Sequence, residues 1–276
     1  MQSLVINGRR IAFQDTGTGP AVILAHCSSA SHREWSHLIP AIQDRYRVLA
    51  PDLIGYGKSD RWPDGGTLTP SDDPGVLLGL ADQVDGPVHL AAHSYGAAAA
   101  LEAAVALGDR VQSLTLIEPV SFHLLKMSMH PEWHRVQSIA ARVNRAVTAS
   151  RKEQAAAIFM KYWIGPLRWW LTPRNARRKI AETIGKVAAE FAMLSGMTRT
   201  LDEYSAITAP TRLIYGEKTR PAARAVIDIL SRAIEHADVR VVPRAGHMSP
   251  FTHAPVVSGL IASHLDAVAS PAGCGT

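Results

Sequence analysis

What most constrains the fold of this chain is a rhythm. Short apolar segments of strand character alternate with segments whose apolar residues fall at helical spacing. Ala21–His26, A-V-I-L-A-H, is apolar throughout, as expected for a strand covered on both faces. Glu34–Arg45 instead places Trp35, Leu38, Ile39 and Ile42 at helical intervals. A first pair of strands is read over Ser3–Ile6 and Arg10–Asp15, joined at Asn7-Gly8, a hairpin signal. Further strands are read over Arg47–Leu53, Val88–Ala92, Val111–Ile117, Thr211–Tyr215 and Val239–Val242. Helices are read over Val76–Val84, Tyr95–Leu107, Pro221–Ile234 and Ala254–Val268. This alternation implies an α/β fold with a mostly parallel central sheet and helices on both faces. Ligands of such sheets bind at the carboxyl ends of the strands, so residues there carry the functional argument.

The rhythm breaks once, after the sixth strand. From Ser121 to about Ser205 the strand pattern gives way to helical patches holding four of the six tryptophans. The expected organisation is a core domain of residues 1–120 and 206–270, a helical cap or lid over 121–205, and a flexible tail over 271–276. The inserted segment carries fourteen Lys and Arg against six Asp and Glu, within a chain of net charge +5. That excess is read as a solvated basic face, with attraction to anionic substrates or surfaces as the other reading. No nucleic-acid motif accompanies it. No apolar run has the length of a membrane span, and no basic-then-apolar leader opens the chain. The two cysteines, Cys27 and Cys274, have no metal-type spacing and are not expected to pair, which suits a reducing cytoplasm. No metal or organic cofactor is expected, and a homodimer is left open.

One corner concentrates the chemistry. Leu90–Ala100 reads L-A-A-H-S-Y-G-A-A-A-A, a strand running into an alanine-rich helix with Ser94 between them. Such a corner lifts the serine hydroxyl to the top of the sheet and sets the Tyr95 N–H at a helix N-terminus. Gly96 lets the helix come close to the strand. A serine here has a second reading as a helix N-cap, and the corner alone does not separate the two.

Three further stretches stand in order with this one. H-C-S-S at 26–29 follows the third strand, D-L-I-G-Y-G-K-S-D at 52–60 follows the fourth, and A-G-H-M-S-P at 245–250 follows the last. With these four motifs the sequence resembles the α/β-hydrolase family, serine-hydrolase type with a helical lid, over nearly all of the chain outside the insertion. The resemblance implies Ser94 as nucleophile, His247 as its base, and the backbone N–H groups of Ser28 and Tyr95 as the oxyanion hole. Cys27 departs from the family's glycine at that place, and Ala92 and Ala97 replace glycines around the elbow. Nothing marks Cys27 as a nucleophile.

The orienting acid departs from the pattern as well. The family places it after the strand that follows the lid, where this chain has Thr219. Glu118 ends the strand before the lid, and some members resemble this chain in carrying their acid at that place, certain haloalkane dehalogenases among them; those use an aspartate nucleophile, so only the position of the acid carries over. An apolar strand that ends in an inward glutamate needs a partner for the buried charge. Three readings stand: Glu118 as the acid, Glu217 as the acid, or no acid.

The resemblance implies a serine hydrolase acting on a small, largely apolar carboxylic ester through an acyl-enzyme. Carbon–carbon bond hydrolysis and lactone opening use the same residues, and a low-turnover ligand-binding protein of this fold is the reading from another class. Phe122, Leu124, Leu125, Trp133 and Trp163 are candidates to line an apolar pocket, with the lid's own core as the favoured alternative for any one of them. His123 at its mouth and Arg33 near the oxyanion strand are weaker ones, with surface positions as their alternative.

Overall fold

Among the described residues eight strands are formed, each within two residues of its sequence reading: β1 (Gln2–Ile6), β2 (Arg9–Thr16), β3 (Ala21–Ala25), β4 (Arg47–Pro51), β5 (Val88–His93), β6 (Val111–Ile117), β7 (Thr211–Gly216) and β8 (Asp238–Val242). The computed structural model describes residues 1–63 and 65–269. The expected tail over 271–276, with Cys274, lies outside the described residues. The strands make one sheet in the order β1-β2-β4-β3-β5-β6-β7-β8. β1 pairs with β2 and β2 with β4 antiparallel, and every later pairing is parallel.

Alternation within the strands divides the core in two. Val22 and Leu24 of β3 point to one face with Val48, Ala91, Ile117 and Ile214. Ala21, Ile23 and Ala25 point to the other with Leu49, Leu90, Leu114 and Leu213. Helices cover both faces: α1 (Ile39–Ile42) and, after the short α11 (Ser249–Thr252), α12 (Ala254–Ala269) the first, α2 (Asp72–Ala81), α3 (Tyr95–Leu107) and α10 (Pro221–Ala233) the second. Alanine suits α3 twice, through its high helix propensity and its thin side chain. Gly96 completes the approach: a Cβ there would lie 2.4 Å from the His26 carbonyl oxygen.

Two helices differ from their sequence readings. The single helix expected over Glu34–Arg45 is a 3₁₀ turn, His32–Trp35, followed by the short α1. Pro40 sits in the first turn of α1 and has no N–H to carry a helix through from the turn before. The helix read over Val76–Val84 starts earlier, at Asp72, with two aspartates in its first turn, where the helix dipole favours negative charge.

Between β6 and β7 the chain makes α4 (His123–Met127), α5 (Glu132–Thr148), α6 (Lys152–Ile164), α7 (Pro166–Leu171), α8 (Arg174–Gly196) and α9 (Leu201–Ser205). α5, α6 and α8 pack on one another. Phe159 and Trp163 of α6, with Val187, Phe191 and Leu194 of α8, close over the carboxyl end of β5. Among the described residues no helix is long and apolar enough to cross a membrane.

Candidate active site

Parallel pairing sets the ends of β5 and β6 side by side, with His93 in register with Ile117. The chain leaves each of these strands through a left-handed residue, Ser94 at φ 54° and Glu118 at φ 47°. Non-glycine residues adopt that region at a cost, and such strain gathers at functional sites. Here it turns both side chains away from the strand paths. Backbone bonds from Ser94 N–H to the Ile117 carbonyl (2.8 Å) and from Glu118 N–H to the Ile214 carbonyl (2.9 Å) hold the two turns.

The Ser94 side chain makes no capping hydrogen bond to α3. Its Oγ lies 2.9 Å from His247 Nε2 instead, and His247 Nδ1 lies 2.5 Å from Glu118 Oε2. All three residues are buried. An ionised carboxylate only accepts, so Nδ1 carries the ring proton and Nε2 is left to accept from the Ser94 hydroxyl. Glu118 is fully engaged. Gly216 N–H donates to Oε1 at 2.8 Å, and the Thr219 hydroxyl donates to Oε2. Burial works to raise the Glu118 pKa, but His247, Thr219 and the Gly216 N–H outweigh it and hold the carboxyl below its usual range. Burial lowers the His247 pKa, against the pull of Glu118. Glu217 stands apart and accepts the Arg244 backbone N–H at 2.7 Å on an exposed loop. Of the two glutamates read from sequence, Glu118 is the one at the imidazole.

Ser28 and Tyr95 flank this array at the ends of β3 and β5. Among the described residues neither backbone N–H has a hydrogen-bond partner. The preceding His26 ties this corner together. Its Nδ1–H donates to the Cys27 carbonyl at 2.7 Å, and its Nε2 accepts the Leu53 N–H at 2.9 Å. Cys27 is buried, and burial, with Glu34 beside it, pushes its thiol well above the ordinary range, so it stays protonated.

Sequence reasoning passed over a second carboxylate–histidine pair directly behind the first. His93 Nδ1 lies 2.6 Å from Glu34 Oε1, and His93 Nε2 lies 2.9 Å from the His247 carbonyl oxygen. Both ring nitrogens face acceptors, so with Glu34 ionised both donate and the ring is an imidazolium. Burial opposes that cation, yet Glu34 outweighs it and raises the His93 pKa. The pair pins the backbone of His247 from below. Its sequence signal was adjacency, since His93 immediately precedes Ser94. Cys27, Glu34 and His93 bring three ligand-type atoms within 4.8 Å of one another, but both His93 nitrogens are committed to hydrogen bonds.

The space over Ser94 is walled by Val120, Phe122, Phe159, Trp163, Phe191 and Leu194 and closes down to about 20 Å³. That is room for one water and for no organic substrate. The Trp163 ring lies flat over the His247 imidazole, centroids 3.7 Å apart and planes 20° apart. Phe122 and Trp163 are thus at the cavity, where the sequence reading favours the core of the inserted helices for each. Leu124 and Leu125 are core residues, and Trp133 is a half-buried packing residue. His123 is at neither the cavity mouth nor the surface: it is fully buried, with Nε2 3.3 Å from the Tyr204 hydroxyl. Arg33 is exposed.

One polar side chain of the inserted helices reaches this cavity unannounced. Glu190 of α8 accepts the Ser28 hydroxyl at 2.5 Å and the Tyr56 hydroxyl at 2.6 Å. Burial raises its pKa, partly offset by Lys186, Ser28 and Tyr56. The signal was available in spacing: Lys186 and Glu190 share a stripe of α8 with Val187, Phe191 and Leu194.

A hydroxyl, an imidazole and a carboxylate in series, beside two unpaired N–H groups, can move a proton and receive a developing oxyanion. Residues 22–258 match the family model described as the alpha/beta hydrolase family. The chain belongs to the alpha/beta hydrolase family. The family is one of hydrolytic enzymes, and the fold and the hydrolase class expected from the sequence motifs are those observed. Over 251 residues the chain is 26% identical to haloalkane dehalogenase 2 of Mycobacterium bovis, covering 86% of this chain and 85% of that one. Over 258 residues it is 26% identical to the pimeloyl-[acyl-carrier protein] methyl ester esterase of Methylococcus capsulatus, covering 90% and 95%. Among solved structures it is similar to a thermophilic esterase from Thermogutta terrifontis, with TM-score 0.79, 24% identity, and coverage of 98% and 100%.

Proposed function

We propose that this alpha/beta hydrolase is a serine hydrolase that cleaves small, largely apolar carboxylic esters through an acyl-enzyme. The observation that carries the reading is the unbroken hydrogen-bond series from Ser94 through His247 to Glu118. Ser94 Oγ attacks the ester carbonyl while His247 Nε2 takes its proton, and Glu118 stabilises the imidazolium that forms. The Ser28 and Tyr95 N–H groups receive the oxyanion. His247 then returns the proton to the leaving alcohol, and water, activated by the same imidazole, releases the acid. A relative named for methyl ester hydrolysis supports an ester substrate. The dehalogenase relative contributes no nucleophile, because dehalogenation in this family resemblance calls for aspartate where this chain has Ser94.

In this reading residues 121–205 act as a cap over a core of 1–120 and 206–270, and the cap must part to admit substrate. The test is labelling by a fluorophosphonate probe alongside a panel of short p-nitrophenyl esters, lactones and β-diketones. Wild type should be labelled on Ser94 and should favour esters, and Ser94→Ala should be silent in both assays. An unlabelled wild type, or equal labelling of Ser94→Ala, would remove Ser94 from the mechanism. A preference for lactones or β-diketones would keep the triad and replace the substrate.

A further inference from the structure

The cap helix α6 has two working faces, and the mechanism uses one. Phe159 and Trp163 face the cavity over Ser94. On the other side Ile158 and Tyr162 join Ile139 and Ala146 of α5 as the floor of an open groove of about 810 Å³. That size lies in the range of small-molecule sites, roughly 300–1,000 Å³. The rim is cationic. Arg142 and Arg145 of α5, Arg151 at the turn and Lys161 of α6 line the groove, all four exposed, and no acidic residue lines it. Among the described residues none of the four is ion-paired to a carboxylate. Elsewhere the protein pairs its arginines freely, as in Arg47–Asp15, Arg212–Asp238 and Arg224–Asp228. Four unpaired cations converging on one apolar trough repel each other, and an anion with an alkyl chain relieves that repulsion while covering the floor.

We infer that the groove between α5 and α6 binds a free single-chain amphiphile with an anionic headgroup. The headgroup, phosphate or carboxylate, sits among Arg142, Arg145, Arg151 and Lys161, and the alkyl chain lies along Ile139, Ala146 and Ile158. Because Tyr162 at the groove meets the ring of Trp163 at the cavity, centroids 4.8 Å apart, a ligand in the groove bears on the wall of the cavity. Binding is read without turnover, so the inference stands or falls apart from the acyl-enzyme reading.

The probe is dodecyl phosphate, held monomeric and titrated calorimetrically into the full chain, with dodecyltrimethylammonium and dodecyl maltoside as controls. Saturable binding of the phosphate alone is expected. The double variant Arg142→Glu/Arg145→Glu should weaken it by about tenfold or more through loss of two charge-assisted contacts. Ala149→Trp, at an exposed groove position, should weaken it by filling the trough without changing charge. Unchanged melting temperatures establish that both variants fold. Equal binding of the cationic control, or wild-type affinity in both variants, would overturn the inference. So would binding only to anionic vesicles, which would make the face a membrane contact, or a groove filled by a second copy of the chain in solution.

Discussion

At the residue scale the proposed triad turns on a displaced acid. Thr219 occupies the place where the family resemblance calls for a carboxylate, and its hydroxyl bonds to Glu118, which supplies the charge from the neighbouring strand end. Glu118→Gln keeps the size but loses the charge, and turns the acceptor at Nδ1 into a group of either polarity. By analogy with a neutralised triad carboxylate, kcat should fall by about 10⁴. Glu217→Gln should leave kcat near wild type, and the opposite ranking would move the acid to Glu217. The pH dependence follows from His247. In the proposed mechanism His247 must be neutral to take the Ser94 proton, so activity should fall as pH drops through its pKa. Burial lowers that pKa, helped by the cationic His93 behind the ring. The rising limb of kcat/KM should therefore have its midpoint below about 6.5, the ordinary histidine value. A midpoint above it would mean that Glu118 outweighs burial. Ser94, His247, Ser28 and Tyr95 were legible because each follows a strand in a recognisable motif. Glu118 was legible because an apolar strand should not end in an inward charge without cause. The Glu34–His93 pair was not, because Glu34 lies 59 residues from His93 and only the folded sheet brings them together.

At the scale of elements, legibility follows the strength of the periodic signal. β3, apolar at every position, and α3, rich in alanine, were read nearly to the residue. The segment 34–45 has the right apolar spacing for one helix and still breaks, because spacing does not register the missing N–H of Pro40. α6 shows what spacing can do only in part: the tryptophans of the insertion were visible, but which of them would cover His247 was not. Trp163 does so by stacking, and it is also part of the wall of the cavity over Ser94. Trp163→Ala should shift the preferred ester toward longer acyl chains, measured as kcat/KM across a homologous p-nitrophenyl series. It should also cost about 3–5 kcal/mol of stability, as large-to-small changes of aromatic core residues do. An unchanged chain-length optimum would mean that substrate enters elsewhere along the cavity wall.

At the scale of the whole molecule, a buried charge network binds the inserted helices to the sheet. Lys186 Nζ lies 2.6 Å from Asp73 Oδ2 and 3.3 Å from Glu190 Oε1, and it stands over the rings of Tyr56 and Tyr95. Tyr95, next to Ser94, donates to Asp73 at 2.6 Å, and Ser28 donates to Glu190. Lys186 is 2% exposed, so α8, α2, the elbow and the Ser28 turn share one ammonium in the dry interior. Composition and periodicity could not reveal this, since the partners lie as much as 162 residues apart. Removing one member of such a group is more damaging than removing all, because the survivors keep their charge without a partner. Lys186→Met should therefore cost about 3–5 kcal/mol, read by denaturant unfolding. Adding Asp73→Asn and Glu190→Gln to it should restore part of that loss. Activity separates the two jobs of the network. If it only holds the inserted helices down, the triple variant regains kcat together with stability. If it also sets the Ser28 N–H against the oxyanion, stability returns while kcat stays low. A triple variant that is additively worse than Lys186→Met would show that the three charges act independently.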